Sequence, residues 1–165
     1  MDTYLLDTNL VSVLYDAGRP NHLAVRGALA ALDPSAPQLI SAVTIGELQF
    51  GLALSRAAGR PIAHIEACIE RAEEHPLAEI GRHTARAFGH VKSSVALQRV
   101  DIQRRIPRWV EAWSDRVTGQ LLQIDENDLW IAAQAVERNF VVMTSDPDFA
   151  RVIAPAVPEL RVQLL

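Results

Sequence analysis

Four acidic residues stand where apolar runs of this chain end or turn. Asp7 follows Tyr4-Leu5-Leu6, and Asp146 follows the run from Phe140 to Thr144 through Ser145. Glu47 lies one turn beyond the apolar stretch Gln38 to Val43, and Asp128 opens a stretch carrying Leu129, Ile131, Ala132, Ala135 and Val136 at helical spacing. In open parallel sheets the chemistry sits at the carboxyl ends of the strands, so these four carboxylates are expected to converge on one pocket. Unpaired carboxylates packed in a cleft repel one another and some take up protons. A divalent cation removes that conflict, and hard oxygen ligands select Mg²⁺, with Mn²⁺ as a substitute, over zinc. The implied chemistry is metal-assisted hydrolysis of a phosphodiester. Asn9 and Thr144 are placed to orient a carboxylate or a water by hydrogen bonding. Each acid taken singly also has a plainer role. Asp7 and Asp128 suit helix N-caps, Asp146-Pro147 suits a turn, and Glu47 suits a solvated helix position.

The elements that must position these residues alternate between strand and helix. Tyr4 to Leu6, Gln38 to Val43, Pro76 to Ile80, Phe140 to Thr144 and Arg161 to Leu165 read as strands. Helical spacing marks Leu10 to Leu14, His22 to Leu32, the stretch holding Ile45, Leu48, Phe50 and Leu52, Pro61 to His75, His83 to Leu97 and Asp128 to Glu137. A further amphipathic helix is expected over residues 98–121, with Ile106, Trp109, Val110, Trp113, Val117 and Leu121 along one side. The alternation implies an α/β three-layer sandwich, a short and mostly parallel sheet with helices on both faces. The 165 residues suit one domain, with the helical segment at about 98–123 as an addition to it.

Composition narrows the function classes. Hydrophobic residues make up 49% and charged residues 22%, which argues against disorder and fibrous repeats. The lone cysteine, Cys68, excludes a disulfide framework and a cysteine-based zinc cluster. Lys92 is the sole lysine and lies outside any glycine-rich loop, so Schiff-base and P-loop chemistry are disfavoured. The five histidines have neither HxxxH nor HExxH spacing. No apolar run is long enough to cross a bilayer, and Asp2 and Asp7 stand where an export signal needs basic and apolar segments; a cytoplasmic location is the expectation. The net charge of −4 means that attraction for a polyanion must come from local basic patches or bound cations.

Four stretches carry a family resemblance. Leu5-Leu6-Asp7-Thr8-Asn9, Ser41 to Gly51, Asn127 to Ala133 and Thr144-Ser145-Asp146-Pro147-Asp148-Phe149 resemble, in order and over nearly the whole chain, the four motifs of PIN-domain nucleases. Among these the chain most resembles VapC-like toxins of bacterial toxin–antitoxin pairs. The resemblance implies a metal-dependent endoribonuclease, usually dimeric, whose antitoxin blocks its site, and whose relatives often cut structured RNAs such as tRNA. It carries the acidic quartet over to Asp7, Glu47, Asp128 and Asp146, as catalytic residues and metal ligands, with Asn9, Thr144 and Asp148 in supporting positions. The Arg-Asn pair usual before the fourth acid is Thr144-Ser145 here.

Arg104, Arg105, Arg108 and Arg116 give the 98–123 segment a basic character. The first three are candidate contacts for an RNA backbone, against the plainer reading of a solvated face balanced by Asp101, Glu111 and Asp115. Trp109 and Trp113, four apart, suit either a packed face or base stacking. Two other functions fit less well. A non-cleaving PIN-like binding module would favour an incomplete acidic set, whereas four acids are present. An aspartate-based phosphotransfer domain of haloacid-dehalogenase type wants a second acid two residues after Asp7, where Asn9 stands.

Overall fold

The computed structural model describes residues 1–165. Its first strand, β1 (Tyr4–Leu6), is followed by α1 (Thr8–Tyr15) and α2 (His22–Ala30). Then come β2 (Gln38–Ser41), α3 (Ala42–Ala57), α4 (Ala63–Glu73), the two-residue β3 (Leu77–Ala78) and α5 (Arg82–Arg99). The last part holds α6 (Glu126–Arg138), β4 (Val141–Thr144), α7 (Ala154–Ala156), which continues a π-helical turn at Phe149–Ile153, and β5 (Arg161–Leu164).

The five strands form one sheet in the order β3-β2-β1-β4-β5, and every pairing is parallel. β1 is central, with Leu6 level with Ile40 on one side and Met143 on the other. Because strand side chains alternate, neighbouring residues feed opposite faces. Leu5 and Val142 enter one core with α5, α6 and the π-helical turn, while Leu6, Ile40 and Met143 enter a second with α1 to α4. Burial on both faces is why β4 is apolar at Val141, Val142 and Met143 rather than alternating. This is the expected three-layer α/β architecture. No helix is long and apolar enough to cross a membrane.

The expected helix over residues 98–121 does not form. Helix α5 ends at Arg99, and one 3₁₀ turn at Val110–Ala112 is the helical structure of the following segment. Val110 and Trp113 are buried there, while Val117 is 85% exposed and Trp109 60% exposed, so the apparent apolar stripe does not share a face. Pro107 removes one helical hydrogen bond and disfavours helix at Ile106. Beyond it, Asp115 Oδ1 accepts from the amides of Val117 and Thr118, 3.0 Å each, and Gly119 takes a left-handed φ of 70°. That Asx turn offers the backbone a local alternative to helix. Arg104, Arg105 and Arg108 therefore lie on an irregular strap joining α5 to α6.

Candidate active site

The site is built at the carboxyl edge of the three central strands. Asp7 continues β1 by one residue, its amide donating to Met143 O at 3.0 Å. Its side chain then caps α1, accepting from Thr8 N at 2.7 Å. The second carboxylate oxygen accepts from the Thr144 hydroxyl at 2.8 Å, so the last residue of β4 holds the acid that ends β1. Thr144 Oγ1 also accepts from the amide of Asp146 at 2.9 Å, which fixes the turn carrying the fourth acid. One buried hydroxyl thus connects Asp7 and Asp146.

Glu47 arrives from the other neighbour of β1. Ser41, the last residue of β2, caps α3 by accepting from Val43 N at 2.9 Å, so strand passes into helix without a loop. The Ser41 hydroxyl donates to Gln134 Oε1 at 2.6 Å and Gln134 Nε2 donates to Ala78 O at 2.7 Å, a fully buried chain that locks α6 to β2 and β3. Glu47 then projects from α3 with both oxygens engaged. One accepts from the hydroxyl of Thr8, and the other accepts from Asn127 Nδ2 at 2.9 Å. The Thr8 hydroxyl also lies 3.0 Å from that of Thr44.

Asp128 is not the cap of α6. Asp125 holds that position, accepting from the amides of Asn127 and Asp128 at 2.8 and 2.9 Å, and Asp128 Oδ2 accepts from Asp125 N at 2.9 Å to complete a capping box. This places Asp128 in the first turn of α6, buried beneath the site. Trp130 stacks on Phe88 with ring centroids 3.9 Å apart and borders a groove shared with Glu47 and Asn127.

The four acids share one electrostatic neighbourhood. Burial raises the Asp7 carboxyl to about 6, and the charges of Asp146 and Glu47 push the same way, against the lowering effect of the Thr144 and Thr8 hydrogen bonds. Burial also raises Asp128, to about 8, with further upward pushes from the charges of Asp125, Asp7 and Asp146. The fold therefore brings together Asp7, Glu47, Asp128 and Asp146 from four separate segments. Thr144 sits among them as expected. Asp148 stands one step out, its amide donating to Asp146 Oδ1 at 2.8 Å and its carboxylate paired with Arg151. Asn9 is exposed and bonds none of the four; the hydrogen bonds expected of it come from Thr8. Thr8, Asn127 and Asp125 are the positioning residues that reading the sequence passed over.

The donor set suits a hard divalent cation in its chemistry, since it is all carboxylate and carries unrelieved negative charge. No three acidic, histidine or cysteine side chains stand close enough to hold an ion among themselves. An ion here would be held by one or two carboxylates directly, with water and substrate oxygens completing its shell, the usual habit of Mg²⁺.

Comparison with known proteins decides the family. The PIN domain profile matches residues 4–154. The chain belongs to the PIN-domain family. No curated protein matches it in sequence. Among solved structures, this PIN domain is similar to VapBC2 from Rickettsia felis bound to a DNA fragment from their promoter, with a TM-score of 0.67, 16% identity and 98% of each chain covered. It is also similar to VapBC-5 of Mycobacterium tuberculosis, a member of the VapBC toxin–antitoxin family, at TM-score 0.63 and 21% identity over 100% of each chain. VapC20 of Mycobacterium tuberculosis, a sarcin–ricin loop cleaving toxin, matches at TM-score 0.55 and 14% identity, covering 90% of this chain and 94% of that one. At these identities the likeness is one of fold, and the acidic site above is the independent chemical observation.

Proposed function

We propose that this PIN domain is an endoribonuclease that hydrolyses RNA phosphodiester bonds with Mg²⁺ or Mn²⁺, and that it is the toxin of a toxin–antitoxin pair working in the cytoplasm. The observation that carries the reading is the convergence of Asp7, Glu47, Asp128 and Asp146 on one edge of the sheet, with burial and mutual repulsion holding Asp7 and Asp128 well above the ordinary carboxylate range. Such crowding is costly unless a cation relieves it. One or two of these four carboxylates would hold the ion directly, and the others would reach it through water. When bound, it supplies charge stabilisation at the scissile phosphate and an activated water.

The chain's own residues do the positioning. Thr144 and Thr8 N fix the Asp7 carboxylate in one orientation, and Asn127 with Thr8 does the same for Glu47. A carboxyl of about 8 at Asp128 keeps a proton at neutral pH in the metal-free protein, lowering the repulsion felt by Asp7 and Asp146. The acidic edge repels RNA by itself, so the basic strap with Arg104, Arg105 and Arg108 is the proposed backbone contact.

The similar VapBC structures support an antitoxin as partner, and exposed Phe50, Leu54, Leu77 and Ile80 offer apolar surface for it or for a second copy in a homodimer. Structured RNA of the tRNA kind remains the proposed substrate class. Induced expression of the wild type in a bacterial host tests the proposal. Growth arrest with new RNA ends, absent for Asp7→Asn and relieved by the protein encoded beside it, is expected. Arrest by Asp7→Asn equal to wild type would refute the reading.

A further inference from the structure

The strap between α5 and α6 separates its two tryptophans. Trp113 is 3% exposed, its indole Nε1 donating to Pro107 O at 2.9 Å and its ring 5.9 Å from the Lys92 ammonium. Trp109, four residues earlier, is 60% exposed and carries the Arg108 guanidinium 4.9 Å from its ring centroid. The turn that presents Trp109 is held in place from beneath. Val110 is fully buried, Ala112 N donates to Trp109 O at 3.1 Å, Trp113 N to Val110 O at 2.9 Å, and Leu122 N to Trp113 O at 2.9 Å. An exposed indole on a fixed turn is pre-organised, so a ligand meets it without ordering the loop first.

Its surroundings are basic although the chain is not. Between residues 98 and 119 five arginines stand against three acids, in a protein of net charge −4. Arg104 is paired with Asp101 and Arg99 with Asp115, while Arg105, Arg108 and Arg116 form no ion pair. Arg105 and Arg116 line, with Arg104, a cavity of about 310 Å³. The turn also touches the start of the helix that carries Asp128: Glu111, two residues past Trp109, accepts from the amide of Glu126 at 3.4 Å.

We infer that this turn is a single-strand RNA contact, in which Trp109 stacks on an unpaired base while Arg105, Arg108 and Arg116 hold the flanking phosphates. Indole and guanidinium planes are the groups on which splayed bases stack, and unpaired arginines are the groups that neutralise phosphates. The inference deepens the ribonuclease reading, because it names an unpaired base beside the cut as what the enzyme holds.

The test reads binding without cleavage. The full chain, in EDTA, is titrated into a fluorescent unstructured oligoribonucleotide, an abasic strand of equal length and a duplex. Trp109→Ala should weaken single-strand binding about tenfold, Trp109→Phe should restore most of it, and neither should alter binding of the abasic strand. Replacing Arg105, Arg108 and Arg116 by Ala should weaken all three ligands and flatten the salt dependence. Thermal unfolding of Trp109→Ala close to that of wild type confirms that the exposed ring is not holding the fold. The inference falls if Trp109→Ala binds the single strand as wild type does, if it loses the abasic strand equally, or if the wild type binds no RNA. Binding through Trp109 in a chain that never cleaves would keep the inference and remove the nuclease proposal. Cleavage indifferent to Trp109 would do the reverse.

Discussion

Replacing Asp7 by Asn should stabilise the metal-free protein, and by an amount that depends on pH in a definite way. The carboxyl titrates near 3.8 in the unfolded chain and at about 6 when folded, because it is 2% exposed and faces Asp146 and Glu47. Between those values the folded state binds more protons than the unfolded one, so its stability falls as pH rises from about 4 to 6, and the deficit is complete above that. At ~1.36 kcal/mol per pH unit the raised carboxyl costs about 3 kcal/mol. Asn keeps the shape and can accept from Thr8 N, but meets the Thr144 hydroxyl with an amide instead of a carboxylate oxygen. Losing that charge-assisted bond takes back roughly 1 kcal/mol. The net gain is about 2 kcal/mol near pH 8, or roughly 4–8 °C in Tm for a domain of this size. The assay is thermal unfolding of both proteins in EDTA at intervals from about pH 4 to pH 8, followed by circular dichroism. The difference should open across about pH 4 to 6 and then stay level. Adding Mg²⁺ should close it from the wild-type side, since an ion bound to the folded state stabilises in proportion to the logarithm of its concentration. A wild type at least as stable as Asp7→Asn near pH 8 without metal would refute the claim that this acid is held against its electrostatic preference.

Other consequences are smaller or concern activity. Asn127→Ala frees one Glu47 oxygen and should slow RNA cleavage by roughly 10-fold under single-turnover conditions with little change in Tm, as expected of a group that orients a ligand. Thr144→Val keeps the volume but removes the hydroxyl between Asp7 and the Asp146 amide. It should cost about 1–3 kcal/mol of stability and move the Asp7 carboxyl further above 6, read by carboxyl NMR titration. Asp115→Ala removes the acceptor for two strap amides and should lower the Tm slightly and loosen the strap without altering the carboxylate site, measured by thermal unfolding.

What could be read from the residues follows from which signals were local. Tyr4 to Leu6 and Phe140 to Thr144 are apolar on both faces because helices cover both sides of β1 and β4, and an acid after such a run has one place to go, the carboxyl edge. Asp7 and Asp146 were therefore legible. Glu47 was legible because it interrupts an apolar helix face that packs against the sheet. The errors arose where two patterns compete. Ile106, Trp109, Val110 and Trp113 have helical spacing, yet Pro107 and the Asp115–Gly119 turn break the backbone that would make the spacing meaningful; both breakers are visible in the chain and outweigh periodicity. The residues put the start of α6 at Asp128, two residues after its true start at Glu126, because Asp128 resembles a cap, whereas Asp125 and Asp128 together form the capping box. Thr8 and Asn127 were passed over because their role is set by a partner on another segment, Glu47, and spacing along the chain does not encode that pairing.

Incubation of the purified, partner-free protein with total RNA tests the central claim most directly, in Mg²⁺, in Mn²⁺ and in EDTA, with Asp7→Asn and Glu47→Gln beside the wild type. The account predicts discrete cleavage that needs the metal and both carboxylates, each variant losing on the order of 100-fold or more of the rate. Cleavage that survives both substitutions, or that proceeds unchanged in EDTA, would contradict it.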